Sequence, residues 1–142
     1  MNPLNRQKTV LVIEDSPDDA AILQMAARKI CPEVCFVFAE GAAEAMDYLK
    51  RAEQRAEGPL RPDVVLVDIG LRAMDGFSVV EQLRELRQLE GLKILMWSGG
   101  IGPDLLARAM KAGADLLLQK AVSYDDLAAE VKRICDIARE VP

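Results

Sequence analysis

The chain has 142 residues, 51% of them hydrophobic and 29% charged, a balance that excludes a disordered chain and suits one domain rather than two. With 18 basic and 23 acidic side chains the net charge is −5, which argues against non-specific contact with nucleic acid or an anionic membrane surface. Histidine is absent, so a histidine base, a histidine metal ligand and phosphate carried on histidine within this chain are all excluded.

Residues 1–7 are polar and read as a flexible N-terminal segment, with a single domain from residue 8 to residue 142 and no effector domain after it. Residues 10–13 are a continuous apolar run, as expected of a strand covered on both faces. Ser16 then caps a helix, Pro17 fits its first position, and Leu23, Ala26, Ala27 and Ile30 share one face before Cys31-Pro32 stops it. Residues 34–39 predict a second strand, and Gly41 opens a second helix with Ala42, Met46 and Leu49 on one face. The polar stretch 50–57 is either the exposed end of that helix or a loop, closed by Gly58-Pro59 and Arg61-Pro62. Residues 64–67 predict the third strand, running into Asp68, and Gly76 precedes a third helix with Phe77, Val80, Leu83 and Leu86 inward. Residues 94–97 predict the fourth strand, ending in Ser98. A fourth helix follows from Pro103, with Leu106, Ala109 and Met110 inward and Gly113 closing it. Residues 116–118 predict the fifth strand, and Ser123 caps a last helix with a stripe of Leu127, Val131, Ile134, Cys135 and Ala138. Five βα units in succession give an open parallel sheet with helices on both faces.

Cys31, Cys35 and Cys135 fit no zinc spacing and read as buried or half-buried thiols, reduced by default. No apolar run follows a basic start, and none approaches the roughly 20 residues that cross a bilayer, so a cytoplasmic location is expected.

In a parallel sheet, ligands bind beyond the carboxyl ends of the strands. The first strand ends in Glu14-Asp15, the third in Asp68, the fourth in Ser98 and the fifth in Lys120. Three carboxylates at one edge repel unless a cation neutralises them, and an all-oxygen set suits a hard ion, Mg²⁺ or Mn²⁺. Lys120 adds a point charge and Ser98 a hydroxyl, both suited to phosphoryl oxygens. Asp68, on the central strand, is the carboxylate placed to carry the phosphoryl group as an acyl phosphate. An aspartyl-phosphate hydrolase of the haloacid type would show Asp-x-Asp, whereas Asp68-Ile69-Gly70 lacks the second acid. A nucleotide site would need a glycine-rich loop after the first strand, which is missing.

The ordered set Val10-Leu11-Val12-Ile13-Glu14-Asp15-Ser16, Val65-Leu66-Val67-Asp68-Ile69-Gly70-Leu71, Met74-Asp75-Gly76, Ser98, Gly113-Ala114-Asp115 and Lys120 resembles the receiver domains of two-component response regulators, over residues 8–138. The Asp15-Ser16-Pro17-Asp18-Asp19 opening of the first helix and the long charged segment before the third strand look like those of small stand-alone receivers, including ones serving phytochrome-type kinases. The resemblance implies a flavodoxin-like sheet of order 2-1-3-4-5. It implies that Asp68 takes phosphate from the phosphohistidine of a sensor histidine kinase or a histidine phosphotransfer protein. Glu14, Asp15, Asp68 and the backbone carbonyl of Gly70 would hold Mg²⁺ or Mn²⁺, and Ser98 and Lys120 would contact the phosphoryl group. The domain would hydrolyse its own acyl phosphate without being an enzyme for a separate substrate. Output would run through protein contacts, with the fourth helix, fifth strand and fifth helix as the usual face and a homodimer as one use of it. No nucleic-acid or membrane partner is implied.

Five positions depart from that pattern. Ala121 follows Lys120 where a proline, usually with a cis bond, is expected, so the loop is either rearranged or strained. Arg72 stands where proline is common. Leu117 takes the place of the aromatic switch residue, and Gly70 and Gly100 lack the side chains that tune hydrolysis in the family. The charge set is intact and the readout is altered. The competing expectation is a degenerate receiver that acts as a phosphorylation-independent interaction module.

Overall fold

Strand residues that alternate between two faces can each enter a core only if both faces are covered. That is the arrangement in the computed structural model, which describes residues 7–54, 61–72, 74–86 and 91–142. The strands are β1 (Thr9–Ile13), β2 (Cys35–Ala39), β3 (Val64–Asp68), β4 (Lys93–Ser98) and β5 (Leu116–Gln119). The helices between and after them are α1 (Pro17–Ile30), α2 (Ala42–Gln54), α3 (Gly76–Glu85), α4 (Pro103–Ala112) and α5 (Tyr124–Glu140). All strand pairs are parallel, in the order β2-β1-β3-β4-β5 that the family resemblance implies.

The period of two sorts the strand residues into two cores. Leu11, Ile13, Val65, Val67, Ile94 and Met96 pack toward Leu49, Val80, Leu83 and Ala109 on α2, α3 and α4. Val10, Val12, Val64, Leu66, Leu95 and Trp97 pack toward Leu23, Ala27, Val131 and Ile134 on α1 and α5. The predicted α5 stripe is buried in full.

Several local expectations are corrected. On α2 the buried residues are Ala45, Tyr48 and Leu49, with Ala42 and Met46 only partly covered, because the Tyr48 ring takes the inward position. α2 continues through Gln54; the rest of the predicted polar stretch lies outside the described residues, as does the N-terminal segment up to residue 6. Leu86 is the C-cap of α3 rather than part of it. On α4 the residues seated in the core are Ala109 and Ala112, while Leu106 and Met110 are 46% and 40% exposed. Leu105 is half-buried against the same core, so the inward face of α4 runs through Leu105, Ala109 and Ala112.

The expectation of reduced thiols also fails. Cys31, at the end of α1, is disulfide-bonded to Cys135 on α5, 104 residues away, and Cys35 is the free cysteine. Both bonded residues point into the same layer, where α1 packs on α5.

At the amino-terminal edge of the sheet, Gly113 adopts a left-handed φ of 115° as the C-cap of α4. Its carbonyl accepts from Arg84 Nε at 2.7 Å. The same guanidinium donates to the Leu92 carbonyl at 2.8 Å and to Asp115 Oδ2 at 2.7 Å. Asp115 Oδ2 also accepts from the Ile94 N–H at 2.9 Å. One arginine thus ties α3, β4 and the end of α4 together, and this accounts for the Gly113-Ala114-Asp115 segment.

Candidate functional site

Register brings the carboxyl ends of the strands together. Ile13 pairs with Val67, so Glu14 emerges beside Asp68, and Asp68 pairs with Trp97, one residue short of Ser98. Glu14 is anchored by its N–H to the Ala39 carbonyl at 2.9 Å, and Lys120 by its N–H to the Ser98 carbonyl at 2.7 Å. Ser16 turns the chain into α1 by accepting from the Asp19 N–H at 3.3 Å, with Pro17 at the first helical position. Gly76 starts α3 hard against the acidic strand end. A Cβ there would stand 2.5 Å from the Asp68 carbonyl oxygen and 2.9 Å from Ile69 Cα.

The Lys120 ammonium is the centre of the site. It donates to Glu14 Oε1 at 2.9 Å, to Asp68 Oδ2 at 3.1 Å and to Asp19 Oδ2 at 3.1 Å. It also stands 5.2 Å from the centre of the Trp97 ring. Asp68 Oδ1 accepts from the Gly70 N–H at 2.9 Å, and Asp15 Oδ2 accepts from the Arg72 N–H at 2.8 Å. Glu14 and Asp68 are only 2% and 5% exposed.

Two buried carboxylates beside one ammonium cannot be equally ionised. Burial, followed by the neighbouring Asp68 carboxylate, pushes the Glu14 carboxyl up to about 7. Burial also works against ionised Asp68, but the neighbouring Glu14 carboxyl, the Gly70 N–H and Lys120 outweigh it and hold Asp68 below its usual value. Burial alone would lower Lys120; its three carboxylate partners raise it instead, so it stays charged. Glu14 is therefore the group that takes a proton, and Asp68 is the carboxylate that stays ionised.

The residues fit a hard cation. Glu14, Asp15 and Asp68 each offer an oxygen, and these atoms lie within 4.8 Å of one another. Glu14 Oε2 is buried without a hydrogen-bond partner, a polar atom whose burial a bound cation would offset.

Four of the residues singled out from the sequence thus converge: Glu14, Asp15, Asp68 and Lys120. Ser98 is buried at the end of β4, where its Oγ accepts from the Gly100 N–H at 3.2 Å and its carbonyl from the Lys120 N–H. Gly70 enters through its N–H. Leu117 is buried in the core on the α4 side. No peptide bond among the described residues is cis, that between Lys120 and Ala121 included. At Gly100 an added Cβ would meet nothing within 4 Å, and at Gly70 it would lie 3.6 Å from Asp68 Oδ1.

Three residues were not assigned a part in the site from sequence. Asp19 is four residues before buried Leu23, which places it on the inward face of α1; that spacing is the signal that could have found it. Trp97 contributes the ring beneath Lys120. Arg72 contributes a backbone donor that a proline at this position could not supply.

Comparison with known proteins gives a consistent picture. The family model of the response regulator receiver domain matches residues 10–132. The two-component response regulator ORR1 of Oryza sativa subsp. japonica is 28% identical over 120 residues, or 83% of this chain and 51% of that protein, so the chain spans about half the length of that relative. The phosphorylated cyanobacterial phytochrome response regulator RcpA has a similar structure, with a TM-score of 0.80 at 23% identity, over 96% of this chain and 97% of that one. The Mn²⁺-bound form of response regulator Rcp1 gives a TM-score of 0.75 at 20% identity, over 95% and 96% of the two chains. At these identities the two structures speak for the fold.

Proposed function

The chain belongs to the response regulator receiver domain family, and from that membership we propose that Asp68 accepts a phosphoryl group from the phosphohistidine of a sensor histidine kinase or a histidine phosphotransfer protein. The observation that carries this reading is the Lys120 ammonium, held by Asp68 at 3.1 Å and Glu14 at 2.9 Å beside a buried, unpaired Glu14 oxygen.

The transfer forms a bond from an ionised Asp68 oxygen to phosphorus and breaks the phosphorus–nitrogen bond of the donor, whose imidazole keeps the electron pair. Asp68 needs no general base, because its surroundings already keep it charged. Lys120 is positioned to turn from Asp68 to a phosphoryl oxygen, and the Gly70 N–H steadies the other carboxylate oxygen. Glu14, Asp15, Asp68 and the Gly70 carbonyl are the groups that would hold Mg²⁺ or Mn²⁺. When bound, such an ion neutralises charge on the carboxylates and the incoming group. Attack of water on phosphorus, with Asp68 leaving, returns the domain to its starting state. The chemistry begins and ends on the protein, so this is a phosphoacceptor and not an enzyme for a separate substrate.

Output in this reading passes through protein contacts at α4, β5 and α5, of which pairing of two copies is one form. A groove of about 520 Å³ opens there, lined by Ile101, Leu117, Ala121, Val122, Glu130 and Arg133. Among the described residues no helix is long and apolar enough to cross a membrane. A cytoplasmic setting belongs to the same reading, and the Cys31–Cys135 bond is the feature at odds with it.

Trp97 is the single tryptophan, and Lys120 lies against its ring, so its fluorescence reports on the site. The expected result is a change on adding Mg²⁺, a second on adding beryllium fluoride, and phosphorylation by acetyl phosphate that Asp68→Asn abolishes. No response to either addition, with Asp68→Asn indistinguishable from the parent, would leave the phosphorylation-independent interaction module as the reading.

A further inference from the structure

Resting on the phosphoacceptor reading, we propose that Asp19 is a positioning residue of the site: its carboxylate draws on the Lys120 ammonium in competition with the phosphoryl group and so sets how tightly that group is held. An ammonium has three N–H donors. In this protein all three are taken by carboxylates, those of Glu14, Asp68 and Asp19. Glu14 is bound into the sheet end, and Asp68 is the acceptor itself. Asp19 differs from both, for it projects from α1 and its side chain is 47% exposed.

Its place in the helix would have explained it differently. Three residues after the capping Ser16, an acidic side chain commonly turns back to the cap. The Asp19 N–H does bond Ser16 Oγ, yet the carboxylate reaches across to the end of β5. A cavity of about 90 Å³ lies alongside, lined by Asp19, Ile22, Leu23, Trp97, Lys120 and Ala121, so the ammonium and its partners have room to shift.

A phosphoryl group on Asp68 brings further negative oxygens to the same ammonium. Lys120 then either shares its donors with Asp19 or releases it. Asp19 also places a negative charge about two hydrogen bonds, roughly 6 Å, from the arriving group, a repulsion worth about threefold in affinity per unit charge even in a water-like medium. Removing the Asp19 charge should therefore strengthen the hold on a phosphoryl group by about three- to tenfold.

The test is the affinity for beryllium fluoride in saturating Mg²⁺, read from Trp97 fluorescence, in the parent and in Asp19→Asn, Asp19→Ser, Asp19→Glu and Asp18→Asn. Asp18 is exposed, sits in the same helical turn and is not among the three partners of Lys120, so its removal controls for charge and for the helix terminus. The Asn and Ser variants at Asp19 are expected to bind the mimic about three- to tenfold more tightly. Asp19→Glu should stay near the parent, and Asp18→Asn should change it less than about twofold. Thermal unfolding is read on the same samples, because loss of a first-turn acid alone lowers stability without tightening the mimic. Unchanged or weaker binding in Asp19→Asn and Asp19→Ser, or an equal gain in Asp18→Asn, overturns the proposal. Failure of the parent itself to bind the mimic overturns the phosphoacceptor reading beneath it.

Discussion

Gly76→Ala adds one methyl group where the start of α3 meets the acidic strand end. The new Cβ would lie 2.5 Å from the Asp68 carbonyl oxygen and 2.9 Å from Ile69 Cα, against contact distances of about 3.5 Å. About an ångström of separation must therefore open, and both atoms in the way are backbone. The helix cannot simply retreat, because Val79, Val80 and Leu83 are fully buried beneath it. Overpacking of this kind costs about 1–3 kcal/mol, and the better helix propensity of alanine returns at most about 1 kcal/mol. A net loss of about 1–2 kcal/mol follows, a fall in melting temperature on the order of 3–8 °C for a chain of this size. The displaced atoms belong to Asp68 and its neighbour, so the initial rate of phosphorylation by acetyl phosphate should drop as well. Gly100→Ala is the matched control: its Cβ meets nothing within 4 Å, and its stability should stay within about 0.5 kcal/mol of the parent. A Gly76→Ala protein that melts like the Gly100→Ala control and labels like the parent would refute the steric reasoning.

Arg84→Met strips the donor from the Leu92 and Gly113 carbonyls and from Asp115. A loss of about 1–3 kcal/mol is expected, seen as a lower urea midpoint at unchanged slope. Because Glu14 is raised to about 7 without metal, protons should compete with the cation. Mg²⁺ affinity should weaken below pH 7, by at most about tenfold per unit, and level off above pH 8, as a titration at several pH values would show. In the metal-free protein the same raised carboxyl adds stability that is fully present below its unfolded value of 4.5 and is lost as pH rises through about 7. Melting curves without metal check that sign. Maleimide labelling of the denatured, unreduced chain should find one thiol, Cys35; three labels would dismiss the Cys31–Cys135 bond.

The strands were legible because burial on both faces leaves no polar position inside runs such as 64–67. The site was legible for a related reason: parallel strands in one register put Glu14, Asp15, Asp68 and Lys120 at one edge, so position in the chain stood in for position in space. Where that substitution failed, the cause is specific. The acidic residue at 19 looks like a helix-terminus acid, and nothing in one dimension shows that its carboxylate leaves the helix for β5. The N–H that holds Asp15 belongs to the Arg72 backbone, which the side-chain alphabet conceals. Hydrophobicity put Leu106 and Met110 on the inward face of α4, whereas that face runs through Leu105, Ala109 and Ala112. Cys31 and Cys135 meet only through the packing of α1 on α5, a contact between the two ends of the domain.

The seating of α4 on alanines has a consequence of its own. Ala109, Ala112 and the half-buried Leu105 are what the helix offers the core, while Leu106 and Met110 stand outside. Covering those two side chains would take apolar surface out of water without disturbing the contacts that hold α4 to its own domain.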